Sequence, residues 1–422
     1  MLSKLIPIGV ALTVTMAVLS RFDVRQDTEI VVVVCGVASA LYLAAAWLAS
    51  SRPDTDRRAL WLCLALALCM RAPLVPVEPT LSDDIYRYVW DGRIQGLGLN
   101  PYTAIPADPA LAPLHTEVTR KMNHPALPTI YPPVAEWIFR GIAAVQPSVL
   151  VFKLAFVAFD ILVIVLLRHW LTLTGKSPWL VLIYAWNPLV ILEVAGSGHL
   201  DIIGVFFVTL SFVALARRAT LVAAVALVAA IGVKFLPLVL VPLFWRKIRI
   251  RDAAIACVCG LAVAAPFALG EGSLPIGSLP TYLAKWRFNG LLYGVVESVW
   301  RTRWLAGMPV LAGLAVAWWQ RRRPERDGRA PWAWPLFVAA LLAPTIYPWY
   351  LLWLVPFVGA LETLPLLVWT QSSLVTYYVW RMSASGAGWR LPWWATCVEF
   401  GTVTAAALWV IHRSRRRQTE VH

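Results

Sequence analysis

Long apolar stretches separated by arginine-bearing breaks leave this chain few ways to fold. Several approach the roughly 20 residues that carry an α-helix across a bilayer. In hydrocarbon every backbone N–H and C=O must be paired within the protein, so only helices or a closed barrel can span. A barrel would show short strands of alternating polarity, and these runs do not alternate. The composition agrees: 59% of the 422 residues are hydrophobic and 14% charged, against roughly 25% charged in soluble domains. The expected fold is all-α, a polytopic transmembrane helical protein forming a single integral membrane domain over 1–422, with about 12–14 membrane segments.

The expected segments are 5–20, 30–49, 59–76, 149–171, 178–195, 202–216, 219–233, 235–245, 253–270, 304–319, 331–346, 349–360, 364–380 and 393–411. The net charge of +14 does not indicate a nucleic-acid surface. Its basic residues sit in breaks between spans (Arg57-Arg58, Arg217-Arg218, Arg246 to Arg251, Arg321 to Arg323, Arg413 to Arg417), which is the positive-inside pattern. Both termini are then cytoplasmic, and the loops 77–148, 196–201, 271–303 and 381–392 are extracytoplasmic. The first apolar run lacks a convincing cleavage site and reads as a membrane helix. The six cysteines lie in apolar runs and read as free core thiols.

One segment strains the charge rule. Residues 219–245 begin and end at basic clusters, so they cannot be one crossing. Two short helices meeting at Gly232-Val233-Lys234 resolve the conflict, with the irregular backbone buried in protein or lining a wet cavity; the alternative is one long tilted helix that breaks the charge rule locally. No internal repeat is visible, unlike many secondary transporters.

Polar residues concentrate in the first large loop, at Ser82–Tyr102. Ser82 suits a helix cap, with Asp83 and Asp84 at the positive end of the dipole. Helical spacing places Asp84, Arg87 and Asp91 on one face, so that one acid faces a cavity while the other pairs with Arg87. Either carboxylate is a candidate base for a hydroxyl, or else a simple cap. Lys234 needs an anion if buried, and a lipid phosphate is the natural partner. Gly196 to Asp201 offers His199 and Asp201 for hydrogen bonding or proton transfer, or forms a plain turn. Lys285, Trp286, Arg287 and Asn289, with Tyr347, Trp349 and Tyr350, combine cations that fork phosphate with aromatics that stack on sugars or line the interface. No metal-ligand cluster and no cofactor motif is present, and a divalent ion is not indicated.

Taken together, SDDIYRYVWDGR with LNPY, NHPALPTIYPP, GHLD, KFLPLVLVP, KWRFNG and YPWYLLWLVP resemble the membrane glycosyltransferases of the GT-C type. The resemblance is to the branch holding the polyprenyl-phosphate-mannose-dependent mannosyltransferases of bacterial phosphatidylinositol mannoside synthesis. It implies an inverting hexosyltransferase of the bacterial cytoplasmic membrane, with mannose the expected sugar, a polyprenyl-phosphate donor and a lipid or glycan hydroxyl as acceptor. The reaction would run on the extracytoplasmic side. The resemblance implies Asp83 as the base with Asp84 second, Lys234 and Arg287 with Lys285 on the donor phosphate, and a pocket lined by His124, Tyr131, His199 and Asp201. Arg87, Asp91, Trp286, Asn289, Tyr347, Trp349 and Tyr350 are further candidates for that pocket. In many such enzymes the acidic loop follows the first span; here it follows the third. A transporter or lipid-linked sugar flippase, using Lys234 and Asp201 as intramembrane charges, is the alternative.

Overall fold

The computed structural model describes residues 2–51, 56–269, 274–300, 302–322 and 328–419. Residues 271–273 and 301 of the second loop, and Arg323, therefore lie outside the described residues. Three helices open the chain: α1 (Leu2–Leu19), α2 (Thr28–Ser51) and α3 (Arg57–Arg71). The acidic loop thus follows a third helix. Within it lie α4 (Asp84–Gly96) and α5 (Pro133–Val145), two short helices packed on each other. The amphipathic α5 buries Ala135, Glu136, Phe139 and Ala143.

Beyond the loop run α6 (Val149–Leu173) and a bent span, Pro178–Gly196, that contains α7 (Leu182–Ala185) and α8 (Pro188–Ile191). Its halves meet at 54°, where Asn187-Pro188 stops one helix and caps the next. Next come α9 (Asp201–Ala216), α10 (Thr220–Val233) and α11 (Ile250–Ala268). The second loop carries α12 (Leu279–Lys285) and α13 (Leu291–Val299). The bundle closes with α14 (Met308–Gln320), α15 (Ala330–Leu341), α16 (Leu364–Ser372), α17 (Val379–Ala384) and the long α18 (Trp393–Thr419). Among the described residues four helices are long and apolar enough to cross a membrane, or five with the bent pair.

Contacts between helix ends give the bundle two distinct faces. Arg168 near the end of α6 lies over Trp61 at the start of α3, and His169 touches Arg217 past the end of α9. Thr220, opening α10, donates to Asp252, opening α11, at 2.5 Å. These basic breaks share one face, as the charge pattern requires.

The segment 219–245 is a hairpin. α10 ends at Val233, Lys234 is extended (φ −158°, ψ 140°), and a 3₁₀ helix returns over Leu236–Phe244. Fourteen α residues rise about 21 Å and nine 3₁₀ residues about 18 Å, so the arms match. Trp245 rejoins the basic face against Trp318 of α14. Gly232 lets the tip meet α5, since a Cβ there would lie 2.4 Å from Val134.

Charges buried between spans are held in pairs or by carbonyls. Arg71 of α3 donates to Asp160 of α6 at 2.5 Å and to the carbonyls of Ala67 and Ala185. Lys153 of α6 donates to the carbonyls of Leu74 and Val77 at 2.7 Å, fixing where α3 leads into the acidic loop. The cysteines need a correction: Cys35 and Cys63 are core residues, whereas Cys69, Cys257, Cys259 and Cys397 face outward. An apolar run in a membrane protein has a lipid side as well as a core side, which hydrophobicity cannot separate.

Replacing Asp160 with Ala strands the Arg71 guanidinium, whose side chain is 2% exposed. A loss of about 3–5 kcal/mol is expected, read as a lower detergent melting temperature. Replacing both residues with Leu should restore most of it.

Candidate active site

The acidic pair divides its labour at the first turn of α4. Ser82 Oγ accepts from the Asp84 amide at 3.3 Å, and α4 starts at Asp84. Asp83 is bound by Arg25 from the α1–α2 connection, whose guanidinium also lies 4.5 Å over the Trp380 ring. Asp84 turns the other way. Its Oδ1 accepts from Asn123 Nδ2 at 3.0 Å, its Oδ2 lies 4.0 Å from His199 Nδ1, and its side chain stays 25% exposed. Burial holds the Asp84 pKa above the ordinary carboxylate value, while the Asn123 hydrogen bond and then the Lys234 charge pull it down.

Neither acid pairs with Arg87. That arginine donates to Asp91 at 2.8 Å, one turn on, and to the Leu127 carbonyl. Asp91 is completely buried beside Glu136, which accepts from Gln95 at 2.8 Å and Thr129 at 2.7 Å. Burial raises the pKa of both carboxyls, and the charge of Asp91 raises Glu136 further. Arg87 and Asp91 therefore clamp α4 to α5 beneath the surface, where the sequence reading had placed them in the pocket. Helical spacing allowed both pairings; depth decides between them.

Asp201 opens α9 and anchors the floor. Its Oδ1 accepts from Lys234 Nζ at 2.7 Å and from Trp353 Nε1 at 2.6 Å. Lys234 thus has a carboxylate partner from another helix, and its ammonium lies 3.9 Å from the Tyr350 ring centre. Its side chain is 28% exposed, so ammonium donors remain for a ligand. Trp353 reaches Asp201 because position 204 is glycine: a Cβ there would fall 2.0 Å from the indole.

An aromatic column joins the two outer motifs. His199 stacks on Trp349 at 4.1 Å, Trp349 on Tyr347 at 4.4 Å, and Tyr347 on Phe288 at 4.6 Å. Backbone bonds hold the motifs in register, Phe288 N–H to the Pro344 carbonyl at 3.1 Å and Ile346 N–H to the Phe288 carbonyl at 2.8 Å. Trp286 meets His124 edge-on at 4.9 Å, and Tyr282 shares a 2.5 Å hydrogen bond with Tyr350. Tyr131 packs edge-on against Tyr88 of α4.

Two of the expected phosphate ligands have other surroundings. Lys285 is exposed at the end of α12. Arg287 is paired with Glu297 at 2.9 Å and lines a groove of about 550 Å³ with Asn289, Trp389 and Arg390. Asn289 donates from this groove to the buried Glu399 of α18 at 2.8 Å. Sequence reasoning missed Arg25, Asn123, Glu193 and Trp353 as parts of the site. Glu193 carried the one usable signal, an acid inside an apolar span. Among the described residues no three His, Cys, Asp or Glu side chains gather as a metal site.

Gly204→Ala should destabilise the protein by about 1–3 kcal/mol through overpacking against Trp353. Adding Trp353→Phe relieves the overlap but removes the indole donor to Asp201, so it should recover only part of the melting temperature.

The profile of the family described as alpha-(1->6)-mannopyranosyltransferase, N-terminal domain, matches residues 7–247. These residues hold Asp83, Asp84, His199, Asp201 and Lys234. Alpha-(1->6)-mannopyranosyltransferase A of Mycobacterium tuberculosis (strain ATCC 25618 / H37Rv) is 23% identical over 391 residues, spanning 82% of this chain and 74% of the relative. No solved structure matches. The GT-C-like resemblance and the mannosyltransferase expectation therefore stand, and the chain belongs to the alpha-(1->6)-mannopyranosyltransferase family.

Proposed function

We propose that the protein moves a mannosyl residue from a polyprenyl-phosphate donor to a hydroxyl of a lipid or glycan acceptor, with inversion, on the extracytoplasmic face of the bacterial cytoplasmic membrane. The carrying observation is Asp84, a partly exposed carboxylate beside Asn123 and His199, in a site that also holds the Lys234 ammonium. The acceptor hydroxyl gives its proton to Asp84 as its oxygen attacks the anomeric carbon. The bond to the phosphate oxygen breaks on the opposite side, and its electron pair leaves on the lipid phosphate. Lys234, held in place by Asp201 and Tyr350, offers charge to that developing anion. The Trp349–Tyr347–Phe288 column gives sugar faces an apolar surface nearby. The linkage in the relative's name, alpha-(1->6), is the product we expect.

Asp84 takes the base role in place of Asp83 because Arg25 already holds Asp83. In proteoliposomes given labelled polyprenyl-phosphate mannose and a membrane-lipid acceptor, Asp84→Asn should lower kcat by at least about 10²-fold. Asp83→Asn should retain most transfer. The reverse ranking returns the role to Asp83, and no transfer by the wild type defeats the donor assignment.

The pH dependence follows from the raised Asp84 pKa. Only the ionised carboxylate accepts a proton, so the acidic limb of kcat/KM should lie above the ordinary carboxylate range. Asn123→Ala removes the hydrogen bond that favours ionisation and should move that limb to higher pH. For stability the sign is opposite to a salt-bridged acid: the folded state binds this proton more tightly, so the contribution of Asp84 is present at low pH and lost as pH rises through the raised pKa.

A further inference from the structure

We propose that His199 and Glu193 are positioning residues that hold the proton Asp84 takes from the acceptor, through a hydrogen bond that exists only once that proton has moved. The inference rests on Asp84 being the base.

His199 sits between two carboxyl groups. Its Nδ1 is 4.0 Å from Asp84 Oδ2 and its Nε2 is 3.3 Å from Glu193 Oε2. The residue is 1% exposed, and neither ring nitrogen makes a hydrogen bond. Other groups fix the ring in that plane. Trp349 stacks on its face at an interplanar angle of 14°. The His199 amide donates to the Glu193 carbonyl at 2.9 Å, across a turn in which Gly198 has φ +71°. The Tyr377 hydroxyl holds the other Glu193 oxygen. Asp83, Asp201, Lys234 and Cys35 also act on this chain of three by charge, and Tyr88, Tyr131, Tyr282, Tyr347 and Tyr377 lie near enough to feel Asp84.

A neutral imidazole has one N–H and one lone pair. With the N–H on Nε2, directed to Glu193, the Nδ1 lone pair faces Asp84. Ionised Asp84 and Nδ1 are then both acceptors and cannot bond, which fits the 4.0 Å gap. In the transfer step the acceptor O–H bond breaks and an O–H bond forms on Asp84. That new O–H is a donor aimed at Nδ1, and the gap can close to the roughly 2.7–2.9 Å of a hydrogen bond. The acceptor oxygen's electron pair makes the bond to the anomeric carbon, and the phosphate leaves with the pair of the bond that breaks. A contact absent before reaction and already forming as the proton moves is stronger in the transition state than in the ground state, so it lowers the barrier without tightening substrate binding. The Glu193 carboxyl, 3.3 Å from Nε2, selects the tautomer by drawing the proton to the nitrogen that faces it.

The test uses the full chain in proteoliposomes with labelled polyprenyl-phosphate mannose. His199→Phe keeps a ring against Trp349 and removes the lone pair; kcat should fall about 10²-fold with KM within about twofold. His199→Asn places a carbonyl where Nδ1 stood and should recover about 10-fold of that loss. Glu193→Gln no longer fixes the tautomer and should lower kcat about 10-fold, again at constant KM. Asp84→Asn retaining transfer would overturn the base reading, and this inference with it. Transfer lost in Asp84→Asn, but a wild-type kcat in His199→Phe, or equal losses in His199→Phe and His199→Asn, would sink the proton-holding role alone.

Discussion

Asp201 is the interaction on which the site depends. One carboxylate oxygen accepts from Lys234 at the tip of the hairpin and from Trp353 in the 3₁₀ stretch that follows α15. Each donor comes from backbone that is not α-helical at that point, and neither segment would hold its place alone in a membrane. The carboxylate also offsets the cost of part-burying an ammonium. Two irregular segments are tied through it to the start of a regular helix. The aromatic column, which begins at Trp349 four residues before Trp353, inherits its position from the same tie.

A second level of organisation surrounds that tie. α4 and α5 are cemented from below by Arg87, Asp91, Gln95, Thr129 and Glu136, leaving their upper turn to present Asp84. From the side, Arg25 reaches from the N-terminal helices to Asp83 and to Trp380. A nearby bridge, Arg381 to Glu29 at 2.9 Å, joins the same two parts of the chain. The N-terminal helices are thus bonded to the acidic motif and to α17, and they set the different surroundings of Asp83 and Asp84.

Much of this was legible in the sequence, and the reason is charge. The basic breaks marked helix ends that share one face and favoured a hairpin at Lys234, because a basic cluster at each end of 219–245 argues against a single crossing. The motifs that meet at Asp84, His199, Asp201, Lys234 and Tyr347 to Tyr350 were each visible as polar residues where hydrocarbon disfavours them. Pairing was not legible. Arg87 could reach Asp84 or Asp91 by spacing alone, Lys234 had no acid near it in sequence, and Arg25 sits in a short connection with no motif. Those outcomes depend on depth and on which helices are neighbours, which local pattern does not encode.

The 3₁₀ arm of the hairpin sets how far Lys234 reaches. Pro237 and Pro242 lie within it. A proline inside an α-helix removes a donor and collides with the carbonyl four residues back, so Pro242 keeps the arm in its longer, thinner form. If the nine residues of Leu236–Phe244 wound as α-helix instead, the arm would shorten by about 4.5 Å. The ammonium would then be drawn towards the basic face, well beyond the 2.7 Å that now joins it to Asp201. The prolines act as a depth gauge: they place a cation at a chosen level of the bilayer by fixing the pitch of the strut beneath it.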